Sequence, residues 1–205
     1  MTTTRVKICG LTRPQDVDAA VLAGADAIGF VFAPRSKRCV GLAEAARLVA
    51  RVPAFIARVG LFLDQDAEAI ERVLDAVPLS LLQFHGREEQ AFCKRFGRPY
   101  IKALGMAAPD AVSLAAHYPD AAALLLDSHE PGGLGGTGKT FAWDAIPETG
   151  RPVVLAGGLT PENVARAVRT VKPWAVDVSS GVETEPGVKS AVRMRAFIRE
   201  AKRET

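Results

Sequence analysis

The sequence predicts an α/β protein, a single-domain (β/α)8 TIM barrel over residues 1–205. Short apolar runs alternate along the chain with stretches of helical spacing, which is the pattern of a parallel sheet flanked by helices. About eight such units occur, and this number favours a closed barrel over an open, doubly wound sheet. No linker or change of composition divides the chain, and its length suits one domain.

The predicted strands are nearly continuous apolar runs, as expected for strands that are buried on both faces. They cover residues 6–10, 27–32, 55–62, 79–84, 100–104, 122–126, 153–156 and 174–178. No dinucleotide-binding glycine pattern follows the first strand, so the sequence does not favour a Rossmann fold.

The helices between the strands are predicted from capping residues and apolar spacing. The first helix is capped by Thr12-Arg13-Pro14, and Gly24 ends it. Thr160 is the expected N-cap of a later helix, with Pro161 at its first helical position. The other helices are expected at about 42–52, 67–76, 88–96, 108–117, 143–146 and 188–202.

Composition and charge exclude several classes of function. The formal net charge is only +3 and the basic residues are scattered, so a nucleic-acid partner is not indicated. No stretch approaches the roughly 20 apolar residues of a membrane span. The chain opens without an apolar signal region, which predicts a cytoplasmic protein. Asn163 is the only asparagine, and arginine and proline are frequent, which is typical of a thermophile or of a GC-rich genome.

A phosphate site is predicted in the last quarter of the chain. Gly157-Gly158 follows the seventh strand, and Ser179-Ser180-Gly181 follows the eighth. Small residues let backbone N–H groups approach an anion, and a helix N-terminus adds partial positive charge. Barrels commonly bind phosphate after strands seven and eight. Two ordinary βα turns are the alternative interpretation.

The carboxyl ends of the other strands carry the remaining chemistry, because barrel active sites form there. A thiolate can abstract a carbon-bound proton, a carboxylic acid can donate one, and arginine can bind a carboxylate through two hydrogen bonds. These ends carry Cys9, Arg38, His85, Asp127 and Asp177. Each has a structural alternative: an inert thiol, a surface charge, a structural histidine or a loop cap.

The three cysteines and the histidines do not indicate a metal centre. Cys9, Cys39 and Cys93 are widely spaced and odd in number, which suits neither a disulfide framework nor zinc. No paired histidines and carboxylates occur at ligand spacing, so no metal site is expected.

Residues 133–140 match the Walker A pattern in full. Five residues, 128–132, separate this stretch from the sixth strand, whereas a P-loop joins its strand directly to a long helix. Pro147 ends the short helical stretch that follows. A glycine loop that closes over substrate beside Asp127 is therefore the preferred interpretation.

The chain resembles the N-(5′-phosphoribosyl)anthranilate isomerase family along its whole length. The matching motifs are KICG (7–10), GFVF (29–32), SKR (36–38), LQFHG (82–86), LDS (126–128), GGTGKTF (135–141), LAGGL (155–159) and VDVSSGVE (176–183). The resemblance implies a (β/α)8 barrel and a step of tryptophan biosynthesis, the Amadori rearrangement of an aminoaldose phosphate to an aminoketose phosphate. It implies a small phosphoribosyl substrate and no cofactor. The family includes monomers and dimers, so a homodimer is one expectation.

The resemblance also assigns roles to residues. Cys9 matches the family's general base, Asp127 its general acid, and Arg38 the residue that holds the anthranilate carboxylate. Asp177 and His85 are expected to contact or orient the substrate. Backbone groups of Gly157, Gly158, Ser179 and Ser180 would hold the phosphate.

One position departs from the family pattern. Ala142 stands where the family usually has an aspartate that would cap the short helix.

Two alternative functions stay open. A related barrel enzyme of histidine or indole-glycerol phosphate biosynthesis is one alternative. The histidine-pathway enzyme, however, uses paired aspartates, and the indole-glycerol phosphate synthase uses lysines at strand ends. A P-loop nucleotide-binding module is the other.

Overall fold

A closed parallel barrel of eight strands forms the centre of the computed structural model, which describes residues 3–106, 111–128 and 150–203 with Trp143 and Ile146. This architecture confirms the predicted fold. The strands are β1 (Arg5–Cys9), β2 (Ala27–Val31), β3 (Ala57–Phe62), β4 (Leu81–Phe84), β5 (Tyr100–Gly105), β6 (Ala123–Asp127), β7 (Val153–Leu155) and β8 (Ala175–Val178).

Helices follow the strands along the chain and cover the outside of the barrel. They are α1 (Pro14–Leu22), α2 (Leu42–Val49), α3 (Ala67–Ala76), α4 (Gln90–Lys94), α5 (Ala111–Ala115), α6 (Val164–Val171) and α7 (Ala191–Arg203). Among the described residues, no helix is long and apolar enough to cross a membrane.

Alternation along the strands separates two layers of the core. On β1, Val6 and Ile8 belong to a large cluster that also contains residues of the helices, such as Val17 and Phe197. Because side chains alternate between the two faces of a strand, Lys7 and Cys9 of β1 face the barrel interior. The register of β8 on β1 then places Lys7 opposite Asp177.

Helix α6 begins later than predicted. It starts at Val164 with Asn163 as its N-cap, not at Pro161 with Thr160 as its N-cap. The Asn163 side chain accepts a hydrogen bond from the Thr160 N–H at 2.8 Å and donates one to the Gly158 carbonyl at 2.9 Å. Residues 160–163 form a turn that leads into the helix. In it the Thr160 Oγ accepts from the Glu162 N–H at 3.3 Å, and the Thr160 carbonyl accepts from the Val164 N–H at 3.1 Å, so Thr160 makes the bonds expected of a cap at the start of this turn.

The last helix also begins later than predicted, because a hairpin comes before it. The helix was expected from residue 188, but α7 starts at Ala191. Val188–Lys189 forms a two-residue strand, β10, which pairs antiparallel with β9 (Glu183–Glu185). A short 3-10 helix, Ser180–Val182, joins β8 to this hairpin. The hairpin therefore returns Glu183 and Lys189 to the carboxyl ends of the strands.

Several predictions lie outside the described residues. They are the glycine-rich loop at 131–138, the Walker A match at 133–140, the departure at Ala142 and most of the short helix at 143–146.

Candidate active site

Two adjoining pockets lie at the carboxyl ends of the strands. The first is lined by Cys9, Arg38, His85, Asp127, Asp177 and Ser179, among others. The second is lined by Gly157, Gly158, Ser179 and Ser180, and Asp127 and Asp177 line it as well. All the residues predicted for the site thus line one continuous cleft. Their roles in binding or chemistry stay predictions.

Cys9 is the last residue of β1, and its side chain is buried at the base of the first pocket. Burial raises the pKa of the Cys9 thiol above its ordinary value, and the Lys7 ammonium opposes that effect. Gly29 of β2 pairs in register with Cys9. A Cβ atom at Gly29 would lie 2.9 Å from the Cys9 Sγ, so glycine leaves the room that the thiol occupies.

A buried ion pair lies beneath the thiol. The Lys7 Nζ donates to the Asp177 Oδ1 at 2.9 Å, and the two side chains are only 4% and 10% exposed. Sequence reasoning placed Asp177 at the site but missed Lys7. The signal was a lysine within an apolar strand, two residues before Cys9 and therefore on the same face.

Asp127 ends β6 and faces His85, which follows β4. The His85 Nε2 lies 3.6 Å from the Asp127 Oδ2. The Gln83 side-chain amide lies 3.1 Å from the His85 Nδ1, and Gln83 is completely buried. When this amide donates to Nδ1, the neutral imidazole carries its proton on Nε2 and directs it toward Asp127. Gln83 was also missed, although it lies on the same strand face as His85.

Arg38 is fixed by a carboxylate that sequence reasoning did not consider. Its Nε and Nη2 donate to the two oxygens of Glu183 at 2.8 and 2.7 Å. The Lys189 Nζ donates to the same carboxylate at 2.7 Å. Burial alone would raise the pKa of Glu183, but the two cations hold it below its ordinary value. A guanidinium has five N–H donors, so the pair with Glu183 is compatible with a second anionic partner.

The loops after β7 and β8 form the second pocket. Gly157 and Gly158 have φ angles of 84° and 63°, a conformation that favours glycine. A Cβ atom at Gly181 would lie 1.8 Å from the Leu159 carbonyl oxygen, so the two loops pack backbone against backbone.

A lysine from outside the loops contacts this pocket. The absence of basic residues in its loops predicts anion donors that are mostly backbone amides, and this stays a prediction. Lys189 of β10 reaches the second loop. Its Nζ donates to the Ser179 carbonyl at 3.1 Å and to the Ser179 Oγ at 3.2 Å.

Metal ligands do not assemble in the described part of the chain, where no group of three or more histidine, cysteine, aspartate or glutamate residues could hold an ion. The chemistry available at the cleft is that of a thiol, carboxyl groups, an imidazole and fixed cations.

Known proteins resemble this chain over nearly its full length. The profile of the family described as N-(5′phosphoribosyl)anthranilate (PRA) isomerase matches residues 6–200. An N-(5′-phosphoribosyl)anthranilate isomerase of Hahella chejuensis is 52% identical over 202 residues, which are 98% of this chain and 95% of the relative. One of Leptothrix cholodnii is 55% identical over 196 residues, which are 95% and 89% of the two chains.

Solved structures of this family have the same fold. The phosphoribosyl anthranilate isomerase of Thermotoga maritima superposes with a TM-score of 0.90 at 42% identity, covering 97% of this chain and 98% of its own. A phosphoribosyl anthranilate isomerase in complex with reduced 1-(o-carboxyphenylamino)-1-deoxyribulose 5-phosphate gives a TM-score of 0.87 at 40% identity, with the same coverage.

Proposed function

The chain belongs to the N-(5′-phosphoribosyl)anthranilate isomerase family, and from that membership we propose how its residues rearrange N-(5-phosphoribosyl)anthranilate to 1-(2-carboxyphenylamino)-1-deoxyribulose 5-phosphate. The observation that carries the proposal is the shared cleft. Cys9, Asp127 and Arg38 line its first pocket, and Asp127 also lines the second pocket with Gly157-Gly158. A substrate that carries a carboxylate and a phosphate can place the carboxylate at Arg38 in the first pocket and the phosphate in the second.

Asp127 is the proposed general acid. It protonates the furanose ring oxygen, the bond from that oxygen to C1′ breaks, and the lone pair of the anilino nitrogen forms a Schiff base at C1′. Cys9 is the proposed general base. Its thiolate removes the proton from C2′, and the C–H electron pair forms the double bond of an enolamine while the nitrogen becomes neutral. The enolamine then loses the proton of its 2′-hydroxyl and gains one at C1′, giving the ketone.

Substrate binding is assigned to Arg38 in the first pocket and to the loops of the second pocket. Arg38, already oriented by Glu183, binds the anthranilate carboxylate. Backbone groups of Gly157, Gly158, Ser179 and Ser180 bind the phosphate, and the charge of Lys189 beside Ser179 supports them. His85 and Asp177 line the first pocket with Cys9 and Asp127, where they contact or orient the sugar.

Conversion of freshly made N-(5-phosphoribosyl)anthranilate in a coupled assay tests the function. We expect turnover that needs no added metal or cofactor. A folded, pure protein that leaves this substrate unchanged but rearranges the aminoaldose of histidine biosynthesis would contradict the proposal.

Replacing Arg38 with alanine is expected to raise KM by roughly 10- to 100-fold, because a charge-assisted contact worth about 1.5–3 kcal/mol is lost. The turnover number should change less, since Arg38 holds a part of the substrate that does not react. Steady-state kinetics measure both constants. Arg35→Ala is the matched control, since Arg35 is exposed three residues away on the same loop. Wild-type constants for Arg38→Ala would reduce Arg38 to a structural partner of Glu183.

A crystal grown with sulfate is expected to show the anion between Gly157-Gly158 and Ser179-Ser180. The N–H groups of these loops and the nearby charge of Lys189 attract a divalent anion. The anomalous signal of sulfur, or selenate in place of sulfate, identifies the ion. An anion bound instead at residues 133–140 would favour the P-loop alternative.

Compartment, source and assembly stay predictions. We propose a cytoplasmic enzyme, with a thermophile as one of the two origins that fit its composition.

A homodimer has one supporting feature. Phe55 is fully exposed and, with Trp174, lines a pocket at the amino ends of the strands. Equilibrium sedimentation of the wild type and of Phe55→Lys tests the homodimer. A wild type that is monomeric at all concentrations would contradict it.

A further inference from the structure

A buried cation that the proposed chemistry does not use lies beneath the cleft. Lys7 lies in the middle of β1, is only 3% exposed, and directs its ammonium group into the barrel interior. A buried ammonium is unfavourable unless an anion compensates it, and a methionine would fill the same space without that requirement. The presence of charge at this position therefore calls for an electrostatic role.

Lys7 and Cys9 are adjacent at the base of the cleft. They are two residues apart on one strand, so their side chains point to the same face. Both flank the space above Gly29. A Cβ atom there would lie 2.9 Å from the Cys9 Sγ and 3.1 Å from the Lys7 Cε. The glycine thus allows the thiol and the end of the lysine side chain to approach one another.

Asp177 of β8 holds the ammonium in place. Its Oδ1 accepts from the Lys7 Nζ at 2.9 Å, and the barrel register sets the two residues side by side. Burial alone would lower the pKa of Lys7, but the Asp177 carboxylate, with a smaller effect from Cys9, raises it above its ordinary value. Lys7 therefore stays charged at any working pH.

Other charges also face the thiol, and their signs are mixed. Lys189 of β10 and Arg38 of the loop after β2 are positive, whereas Asp177 of β8 is negative. Burial is the largest influence on the pKa of Cys9 and raises it, and Lys7 is the strongest opposing group. Asp127 of β6 is a further carboxyl group in the same pocket.

We infer that Lys7 is a positioning residue for proton abstraction: its ammonium, fixed by Asp177, stabilises the thiolate form of Cys9. This inference rests on the proposed role of Cys9 as the base. Asp177 then acts through Lys7, in addition to lining the cleft. Lys7 thereby offsets part of the effect of burial, which favours the protonated thiol.

Titration of the Cys9 thiol in a Cys39→Ser background tests the inference. Cys39 is exposed and would obscure the signal, whereas burial raises the pKa of Cys93 to about 12, so that Cys93 stays protonated. Thiolate absorbance in the ultraviolet, or the rate of alkylation by iodoacetamide, is followed against pH. A Cys9→Ser protein identifies which part of the signal belongs to Cys9.

Lys7→Met is expected to lower the thiolate fraction of Cys9 near neutral pH by roughly tenfold or more. Removing a neighbouring cation raises the pKa of a thiol. The low-pH limb of the kcat/KM profile should therefore move to higher pH by about one unit, the equivalent of a tenfold change, with KM little changed. Lys7→Arg keeps the charge and should restore part of the thiolate fraction and part of the pH profile. A double variant, Lys7→Met with Asp177→Asn, leaves no unpaired buried carboxylate, so it keeps the test available if the single variant does not fold.

An unchanged Cys9 titration in Lys7→Met, or in the double variant when it is compared with Asp177→Asn alone, would overturn the inference. A shifted titration with an unshifted pH profile would overturn it as well, because the charge would then have no part in the reaction. Full turnover by Cys9→Ser has a different meaning: it would remove Cys9 as the base and so refute the proposed mechanism, whatever the thiol titration shows.

Discussion

Replacing Cys9 with serine is expected to lower kcat by roughly 10²- to 10⁴-fold, with KM within a few-fold of the wild type. A hydroxyl group is a far poorer base than a thiolate, so C2′ would keep its proton. The substitution is nearly isosteric, and the apolar cluster around Cys9 is small: it contains Val31 and Ala33 with the partly buried side chains of Leu61 and Leu63. Binding of a product analogue and the melting temperature should therefore change little.

Cys39→Ser is the matched control for this experiment, since it makes the same chemical change at an exposed position. It should leave both kinetic constants unchanged. A Cys9→Ser protein that turns over at the wild-type rate would exclude the thiol from the mechanism.

Asp127→Asn is expected to lower kcat by a comparable factor, roughly 10²- to 10⁴-fold. An amide keeps the shape of the carboxyl group at the end of β6 but has no acidic proton to give to the ring oxygen. His85, 3.6 Å from the Asp127 Oδ2, would keep a polar partner, so the barrel should fold normally. Steady-state kinetics with the coupled assay measure the loss.

The control for Asp127→Asn is Asp75→Asn, which makes the same change on the exposed side of α3. This variant should retain wild-type constants. If Asp127→Asn loses affinity for the product analogue but keeps its turnover number, Asp127 binds substrate and another group opens the ring.

The pH dependence of the wild type follows from the same pair of groups. A deprotonated Cys9 and a protonated Asp127 must coexist for turnover, so the rate is expected to pass through a maximum between two apparent pKa values that belong to the coupled site. The rate falls at low pH because the thiolate is protonated, and it falls at high pH because the acid has lost its proton. A flat profile across the stability range would contradict this account.

The barrel could be predicted because its strands are buried on both faces. Such strands appear as continuous apolar runs with clear ends, and β1 and β6 end at Cys9 and Asp127. The rule that barrel sites form at carboxyl ends of strands then brings these two residues into one cleft.

The charged network beneath the cleft could not be predicted in the same way. Lys7 and Asp177 are 170 positions apart, and only closure of β8 on β1 in one register pairs them. Lys189 belongs to a two-residue strand, which is too short to have a recognisable period. Its contacts with Glu183 and Ser179 depend on the hairpin turn, which brings it beside the loop after β8.

The start of α6 shows a different limit. Thr160-Pro161 has the composition of a helix start, and the sequence pattern favours it. Asn163 competes through its side-chain amide, which binds both Thr160 and Gly158 and holds the preceding residues in a turn. Local propensity cannot decide between two such caps, because the deciding bond reaches back to the loop after β7.

A crystal structure of this protein with reduced 1-(o-carboxyphenylamino)-1-deoxyribulose 5-phosphate is the most direct test of the proposed function, because it shows where the cleft binds the carboxylate, the sugar and the phosphate of one ligand. We predict the phosphate at Gly157-Gly158 and Ser179-Ser180, the carboxylate at Arg38, and C2′ within contact distance of the Cys9 Sγ, with Asp127 on the other side of the sugar. A ligand bound with its phosphate at Arg38, or with C2′ out of reach of both Cys9 and Asp127, would contradict the account.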